Sequence, residues 1–399
     1  MKRAKYVEEP KVFIRHTAER SFIGPALFRL DSGEPSSPNE LRRPSILMAA
    51  PWGRPPTNFE QLAAKFPVPM FYRSSDGGRT WHEQGRMKMD WKLTGMISDG
   101  GITFLRLQDG RSTGSTPSTG SVQASSGQGR LAFLAHRHVE GLYGGGVPVF
   151  STSEDNGVSW SPARLLVSHD SVHYVMNDRM IQLQNGRLIV PTCHPGGVYG
   201  YEGDAVVARC FISDDNGDNW RLSSADGITS LSGDARGMAE PCVAEVGHNR
   251  LLMLTRTGSG CKYRAWSENG GETWSKPEPT TLTAACSSLT LKKLPDNRLI
   301  VFYNHTEPLG PGAFFPRTPL CYAVSSDGGK SWDEPVLVDD AGALLKDRQN
   351  IYPSICFTDE GMLVVYSTHE ADPQGSFAGQ YSHLCPDCGG KRCILEYPV

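Results

Sequence analysis

The stretch Ser74–Trp81 reads SSDGGRTW, and four later stretches repeat it closely: SEDNGVSW from Ser153, SDDNGDNW from Ser213, SENGGETW from Ser267 and SSDGGKSW from Ser325. The shared pattern is S-x-D-x-G-x-T-W, and each residue type has a local task. Gly supplies positive φ in a tight hairpin. The Asp carboxylate accepts from backbone N–H groups of its own turn, and the hydroxyls do likewise. The Trp then plugs a gap between neighbouring strands. Five of the eight tryptophans (Trp81, Trp160, Trp220, Trp274 and Trp332) close these boxes, so Trp serves structure here. The fourth box has Asn269 for Asp and the third has Asn219 for Thr, and neither change removes the turn chemistry.

The first serines fall at 74, 153, 213, 267 and 325, so the steps are 79, 60, 54 and 58 residues. Between boxes comes a second recurring hairpin: LQNGRLIVPT from Leu183, VGHNRLLMLTR from Val246, LPDNRLIVFYN from Leu294 and FTDEGMLVVYS from Phe357. These short runs are apolar on both faces, as strands sandwiched between neighbours require. Their length and turn signals favour strand over helix. Each unit is therefore two hairpins, or four strands, over ~50–60 residues, the size of one propeller blade. Five boxes mark five blades. The segment from Arg348 starts a sixth that has no box, and an N-terminal strand near KVFIRH is expected to close it. The expected fold is all-β, a six-bladed β-propeller of four-stranded antiparallel blades, with residues 1–399 as one domain. A sandwich or a solenoid is the alternative.

Composition agrees with many short turns: the 399 residues include 43 Gly and 28 Pro. A net charge of −3 gives no general attraction to nucleic acid or to an acidic membrane. Ten dispersed cysteines are not the dense framework of a small secreted domain. The N-terminus MKRAKYVEEPKVFIRH has no apolar leader core, and no run is long enough to cross a membrane. A cytoplasmic protein is expected; a secreted one whose leader had been removed would read the same way. Residues 112–129, STGSTPSTGSVQASSGQG, read as an overgrown hairpin turn.

The boxes join third and fourth strands, and the other hairpin turns lie on the same side of the ring. Residues just before a first or third strand, or just after a second, therefore face the opposite side. Four stand out: Glu240 before CVAEVG, Arg256 at the end of LLMLTR, Arg317 before LCYAVSS and Tyr352 before SICFTD. Arginine forks suit a planar carboxylate. A Glu beside a Tyr can take the phenolic proton and make the oxygen a nucleophile.

The boxes resemble the Asp-boxes of the sialidase (neuraminidase) superfamily, whose fold is a six-bladed propeller. MAEPCVAEVGHNRLLMLTRTGSGCKYRAWSENGGETW is similar to the sialidase stretch that holds the catalytic Glu and, sixteen residues on, a triad Arg; here these are Glu240 and Arg256. PRTPLCYAVSSDGGKSW is similar to the segment with the next triad Arg, here Arg317. NIYPSICFTDEGMLVVYS resembles the segment of the nucleophilic Tyr, here Tyr352. The resemblance implies a retaining exo-α-sialidase-like glycosidase that needs no cofactor and no metal. Its substrate would be a sialylated or other acidic glycan, with no nucleic acid or membrane partner.

Blade one departs from the family pattern. Sialidases open with an Arg-Ile-Pro segment carrying the first triad Arg. Here RSFIGPALFRL places Ile23 and Gly24 before Pro25, with Arg20 displaced. LMAAPWGRP around Arg54 resembles the next family segment, but the acid Asp expected in the following loop is missing, and Glu60 is the only acidic residue between Arg54 and Arg73. The acid is expected to be Glu60 or, in reserve, Asp178. Asn177, Asp178 and Arg179 enter the same mouth before MIQLQNG, so Asn177 and Arg179 join Arg20, Arg54, Arg256 and Arg317 as expected substrate-binding residues. His136 and the other mouth histidines read as hydrogen-bonded structural residues. The C-terminal run HLCPDCGGKRC spaces His383, Cys385, Cys388 and Cys393 like metal ligands, but a lone C-x-x-C is weak, and free thiols are expected. Two rival functions stay open: a lyase or another glycosidase on an acidic polysaccharide, and a non-catalytic glycan-binding propeller.

Overall fold

Short apolar runs bounded by turns pair into antiparallel meanders, and in a computed structural model of the chain they do so six times. The structure describes residues 1–15, 21–22, 24–30, 45–53, 68–86, 101–108, 129–138, 146–167, 173–194, 206–224, 237–307, 316–340, 348–370 and 388–399. Blade 1 comprises Ser21–Phe22 and Ala26–Leu30, then Ser45–Gly53, Val68–Ser74 and His82–Arg86. Blade 2 comprises Thr103–Arg106, Leu131–His138, Gly146–Ser153 and Arg164–Leu165, and blade 3 Ile181–Gln182, Leu188–His194, Val207–Ser213 and Arg221–Leu222. Blade 4 runs through Ala239–Gly247, Arg250–Arg256, Cys261–Ser267 and Glu278–Thr283, and blade 5 through Leu289–Lys293, Leu299–Asn304, Leu320–Ser325 and Val336–Asp339. Blade 6 holds Arg348–Phe357, Met362–Glu370 and Gly389–Leu395. The result is an all-β six-bladed propeller. Among the described residues there is no helix, hence none long and apolar enough to cross a membrane.

The ring is closed by the N-terminus, as the sequence predicts. Tyr6–Arg15 adds the outer strand of blade 6, antiparallel to Gly389–Leu395. Lys2–Arg3 extends blade 5, parallel to its last strand. The fully buried Arg392 donates from both terminal nitrogens to Glu8, each at 2.9 Å, so an ion pair also fastens the two chain ends. Burial alone would raise the Glu8 carboxyl; the bonds from Arg392 and Lys11 outweigh it and bring it down to about 2.

The core is not central but divided among the six interfaces between blades. Each box Trp packs there, between blades rather than between strands of one blade: Trp81 between blades 6 and 1, Trp160 between 1 and 2, Trp220 between 2 and 3, Trp274 between 3 and 4, Trp332 between 4 and 5. The interface of blades 5 and 6, which has no box, is filled by Tyr322, Tyr366, Phe357 and Tyr397 instead.

Inside a box the chemistry is local. Ser74 Oγ donates to Asp76 Oδ1 at 2.7 Å and accepts from Gly78 N at 2.8 Å. Asp76 takes the N–H groups of Arg79 and Thr80, each at 2.9 Å, and the Thr80 hydroxyl at 2.6 Å. Trp81 Nε1 donates to Gly78 O at 3.0 Å. Gly78 itself has φ +89°, and a Cβ there would lie 2.4 Å from Leu363 of the neighbouring blade, so only glycine serves. The two variant boxes keep the pattern. Asn219 donates to Asp215 at 2.7 Å, and Asn269 donates to Thr273 Oγ1 at 2.8 Å while accepting the Thr273 N–H at 3.0 Å.

Candidate active site

Among the described residues seven non-glycine residues adopt positive φ, and the set divides in two. Asn156, Asn216, Asn249 and Asn297 are turn asparagines, which tolerate this region. The other three, Asp178 at 57°, Glu240 at 46° and Tyr352 at 52°, stand just before or within the first strand of a blade, and Gly24 at 53° leads into Ala26–Leu30 of blade 1. Glu, and still more Tyr, are uncommon there, at a cost of order 1–3 kcal/mol that surrounding structure must offset. In blades 4 and 6 this residue sits in a register shift: pairing jumps from Ala239 to Cys242 in one and from Ile351 to Ser354 in the other. Glu240 and Tyr352 are therefore inside bulged first strands, not just before them as the sequence suggests. A bulge re-aims a side chain, and here both turn to the same place.

Tyr352 Oη donates to Glu240 Oε1 at 3.3 Å. Arg256 Nη1 donates to that same oxygen at 2.6 Å. Glu240 Oε2 is buried and takes no hydrogen bond among the described residues. Arg317, 1% exposed, anchors its backbone carbonyl on Asn304 Nδ2 at 2.8 Å and on the Asn350 N–H at 3.0 Å. The Tyr352 ring packs on Met176 of blade 3 and on Ile351. Three of the four residues that the sequence singles out are thus joined by hydrogen bonds across blades 4 and 6, and Arg317 acts on Glu240 electrostatically.

Burial alone would raise the Glu240 carboxyl, but Arg256, Arg179, Arg317 and Lys262 outweigh it and hold it below the usual range. Glu240 is a carboxylate at neutral pH, as a proton acceptor must be. Burial also works against the Arg256 charge, and the Cys286 sulfur and Glu240 overcome it, so Arg256 stays firmly protonated. Arg317 is pulled down by burial and by its neighbour Arg256. Lys262, fully buried on the third strand of blade 4, was not anticipated from sequence. Burial lowers its ammonium to about 7, with Cys286 opposing and Arg256 assisting. Three arginines and a lysine act on one carboxylate, and such an excess of positive charge suits an anionic ligand.

The Asn177–Asp178–Arg179 run enters the axis as expected, but its polar atoms bind the protein. Asn177 Nδ2 donates to Pro25 O at 2.9 Å and to Tyr352 O at 3.3 Å. Arg179 donates to Glu240 O, to Pro241 O at 3.1 Å and to Leu289 O at 2.8 Å. Asp178 accepts from Lys292 Nζ at 2.6 Å, Ser354 Oγ at 2.8 Å and Ile355 N at 3.1 Å. Blade 3 thereby ties blades 1, 4, 5 and 6 together from the centre. A carboxylate so occupied is a staple, and its lack of a free oxygen for a substrate is the physical reason to read Asp178 differently from the expectation. Arg20, Arg54 and Glu60 lie outside the described residues. His136 is structural: Nε2 accepts the Val175 N–H at 2.8 Å, and burial pushes its pKa down to about 4. Cys393 is a buried free thiol and Cys388 is buried, while His383 and Cys385 lie outside the described residues. Among the described residues no three His, Cys, Asp or Glu side chains are grouped as metal ligands.

Bulged strands that aim a Tyr–Glu pair to one place, beside the buried Arg256 and Arg317, mark one face of a six-bladed propeller built on Asp-box turns. Residues 121–365 match the BNR repeat-like domain family, and the chain belongs to that family. A curated relative, the anhydrosialidase of Macrobdella decora, is 33% identical over 135 residues, which cover 32% of this chain and 16% of that protein. Two solved structures share the fold at 16% identity. The intramolecular trans-sialidase of Ruminococcus gnavus superposes with a TM-score of 0.61 over 98% of each chain. A Hadza microbial sialidase does so with a TM-score of 0.62, over 94% of this chain and 66% of its own.

Proposed function

We propose that the protein is a glycosidase that releases a terminal carboxylated sugar, sialic acid in the first instance, through a covalent tyrosyl intermediate. The observation that carries this reading is the shared Oε1 of Glu240, which meets Tyr352 Oη on one side and Arg256 on the other. In this mechanism Arg256 and Arg317 bind the sugar carboxylate with charge-assisted hydrogen bonds. Tyr352 Oη attacks the anomeric carbon as its proton passes to Glu240, and the bond to the leaving oxygen breaks. Water or a hydroxyl of the sugar itself then displaces Tyr352: the attacking oxygen gives its proton to the carboxylate that protonated the leaving oxygen, and Tyr352 Oη recovers its own from Glu240. A neutral tyrosine suits a substrate whose own carboxylate would repel a carboxylate nucleophile, and sialidases are the known exception to the two-carboxylate scheme. Protonation of the leaving oxygen falls to Glu60 in this reading, because Asp178 is held by Lys292 and Ser354.

The test is a panel of aryl glycosides of sialic acid, of a uronic acid and of a neutral hexose, with a fluorinated sialosyl donor as covalent probe. Turnover of the sialoside alone, with the probe attached to Tyr352 in a peptide digest, is the expected result. Products are read for both free and anhydro sugar, since the leech relative is an anhydrosialidase. Turnover of the uronide instead would move the reading to another acidic glycan. Binding of sialic acid without turnover or labelling would replace it by a lectin-like role.

A further inference from the structure

The lead-in to blade 5, Cys286–Ser287–Ser288, touches both an arm of the proposed carboxylate clamp and the proposed nucleophile. Cys286 Sγ accepts from Arg256 Nε at 3.3 Å. Ser287 accepts from Lys262 Nζ through its carbonyl and, at 3.4 Å, through its hydroxyl. Ser288 Oγ accepts from the Tyr352 N–H at 3.3 Å. Two residues further on, Thr290 Oγ1 donates to Pro353 O at 2.7 Å, next to the Tyr352 bulge. All three residues are buried. Blade 5 stands between blade 4, which carries Glu240, Arg256 and Lys262, and blade 6, which carries Tyr352.

From this juxtaposition we infer that Cys286 and Ser288 are positioning residues: Cys286 fixes the guanidinium plane of Arg256, and Ser288 fixes the bulge that presents Tyr352. The inference rests on the function proposed above. A guanidinium is planar, so two bonds in that plane determine its orientation. Arg256 has Nη1 on Glu240 and Nε on Cys286. Without the sulfur, Arg256 keeps the Glu240 contact but loses one of the bonds that set its plane. On the other side, the positive φ of Tyr352 is an uncommon state, and a backbone N–H held by a buried hydroxyl is one of the bonds that maintain it.

The bond to Cys286 can be separated from its volume. Ser keeps an acceptor and loses size, Val keeps size and loses the acceptor, and Ala loses both. With a fluorogenic sialoside, Cys286→Val and Cys286→Ala are each expected to raise KM about tenfold, the worth of one good hydrogen bond to a charged group. Cys286→Ser should stay within about threefold of the parent. If packing alone mattered, Val would be the mildest change and Ser no better than Ala; that order would overturn the role of Cys286. Ser288→Ala should lower kcat about tenfold with KM unchanged, because it loosens the nucleophile and not the carboxylate clamp. A change confined to KM, or none, would overturn the role of Ser288. A second readout does not need turnover. In protein labelled with 15N at arginine Nε, the Arg256 Nε–H, assigned with Arg256→Lys, should exchange about tenfold faster in the Val and Ala variants than in parent or Ser. If the parent protein turns over no sialoside, the functional reading fails, while the exchange series still decides whether Cys286 orients Arg256.

Discussion

The box turns and the axial mouth use the same kinds of residue in opposite ways. In a box, Ser, Asp, Gly, Thr and Trp bond to partners two to four residues away. At the axis, the bonds of Glu240, Tyr352 and Asp178 join residues 16 to 177 positions apart. A box carries its own hydrogen-bond partners, so it can be copied five times and tolerate Asn for Asp. Each axial position is met by different blades and differs from its counterparts: Gly24, Asp178, Glu240 and Tyr352 share one backbone conformation and no side-chain chemistry. Repetition builds the ring, and departures from repetition build the site.

Tyr352→Phe should break the site and leave the ring intact. Turnover of a sialoside is expected to fall ~10³-fold or more, about 4 kcal/mol of transition-state stabilisation, with the thermal midpoint nearly unchanged. Near-normal turnover by the Phe variant would end the tyrosyl mechanism.

Arg256→Ala comes next. It removes one arm of the clamp and a charge beside Glu240. Binding of a carboxylated sugar should weaken ~10²-fold, and binding of a neutral analogue much less. Glu240 is held below its ordinary range in part by Arg256, so its pKa should rise in the variant. A base must be deprotonated to act, so the acid limb of kcat/KM should move to higher pH. A limb that stays in place would mean that another group sets it.

Asp178→Asn probes the hub rather than the chemistry. Asn tolerates positive φ and fills the same space, so the change removes the charge opposite Lys292 and one of the two acceptor oxygens. With Lys292 one-fifth exposed, the loss should be about 2–3 kcal/mol of stability in denaturant melts. Activity per folded molecule should hold within about twofold. A loss seen only with poor leaving groups would return Asp178 to the acid step.

The smallest effects belong to the boxes. Asp155→Asn should cost about 1 kcal/mol or less near neutral pH, with no change in kcat. Acid exposes the boxes together. Asp155 is brought to about 2 by the Ser159 hydroxyl and backbone, while Asp76 and Asp327 reach about 2 because their hydrogen bonds outweigh burial. Groups lowered in the folded state stabilise it above their ordinary value of 3.8, and that stabilisation is lost as pH falls toward 2. Thermal midpoints should therefore drop steeply between about pH 4 and 2. A flat profile across that window would show that the box carboxylates do not stabilise the fold.

Blade count, box chemistry and ring closure could be read from the residues because each depends on neighbours in sequence or on a fixed period. The Trp residues were legible as structural, yet their seats between blades were not, since a box does not say what lies beside it. Glu240, Arg256, Arg317 and Tyr352 could be picked out by strand-end position and by family likeness. A further sign was present: Gly24-Pro25, Glu240-Pro241 and Tyr352-Pro353 repeat an X-Pro step ahead of three first strands, and proline restricts the residue before it. For Asn177 and Arg179, expected as substrate-binding residues, no spacing shows that their donors meet Tyr352 O and Leu289 O. Cys286, Ser288 and Lys262 carried no signal at all, being one apolar-run Cys, one Ser and one strand Lys among many.

The sequence alone determined that this protein is a closed ring of repeated four-stranded units, because hairpin turns and strand periodicity are short-range properties written residue by residue. Only the tertiary structure decided which polar side chains face one another and which are used up holding blades together. Asp178 and Glu240 are both acidic residues in the same conformation at the same level of the ring. One meets Lys292 and Ser354, the other Tyr352 and Arg256. That difference arises from which blade stands opposite, and it exists only once the ring has closed.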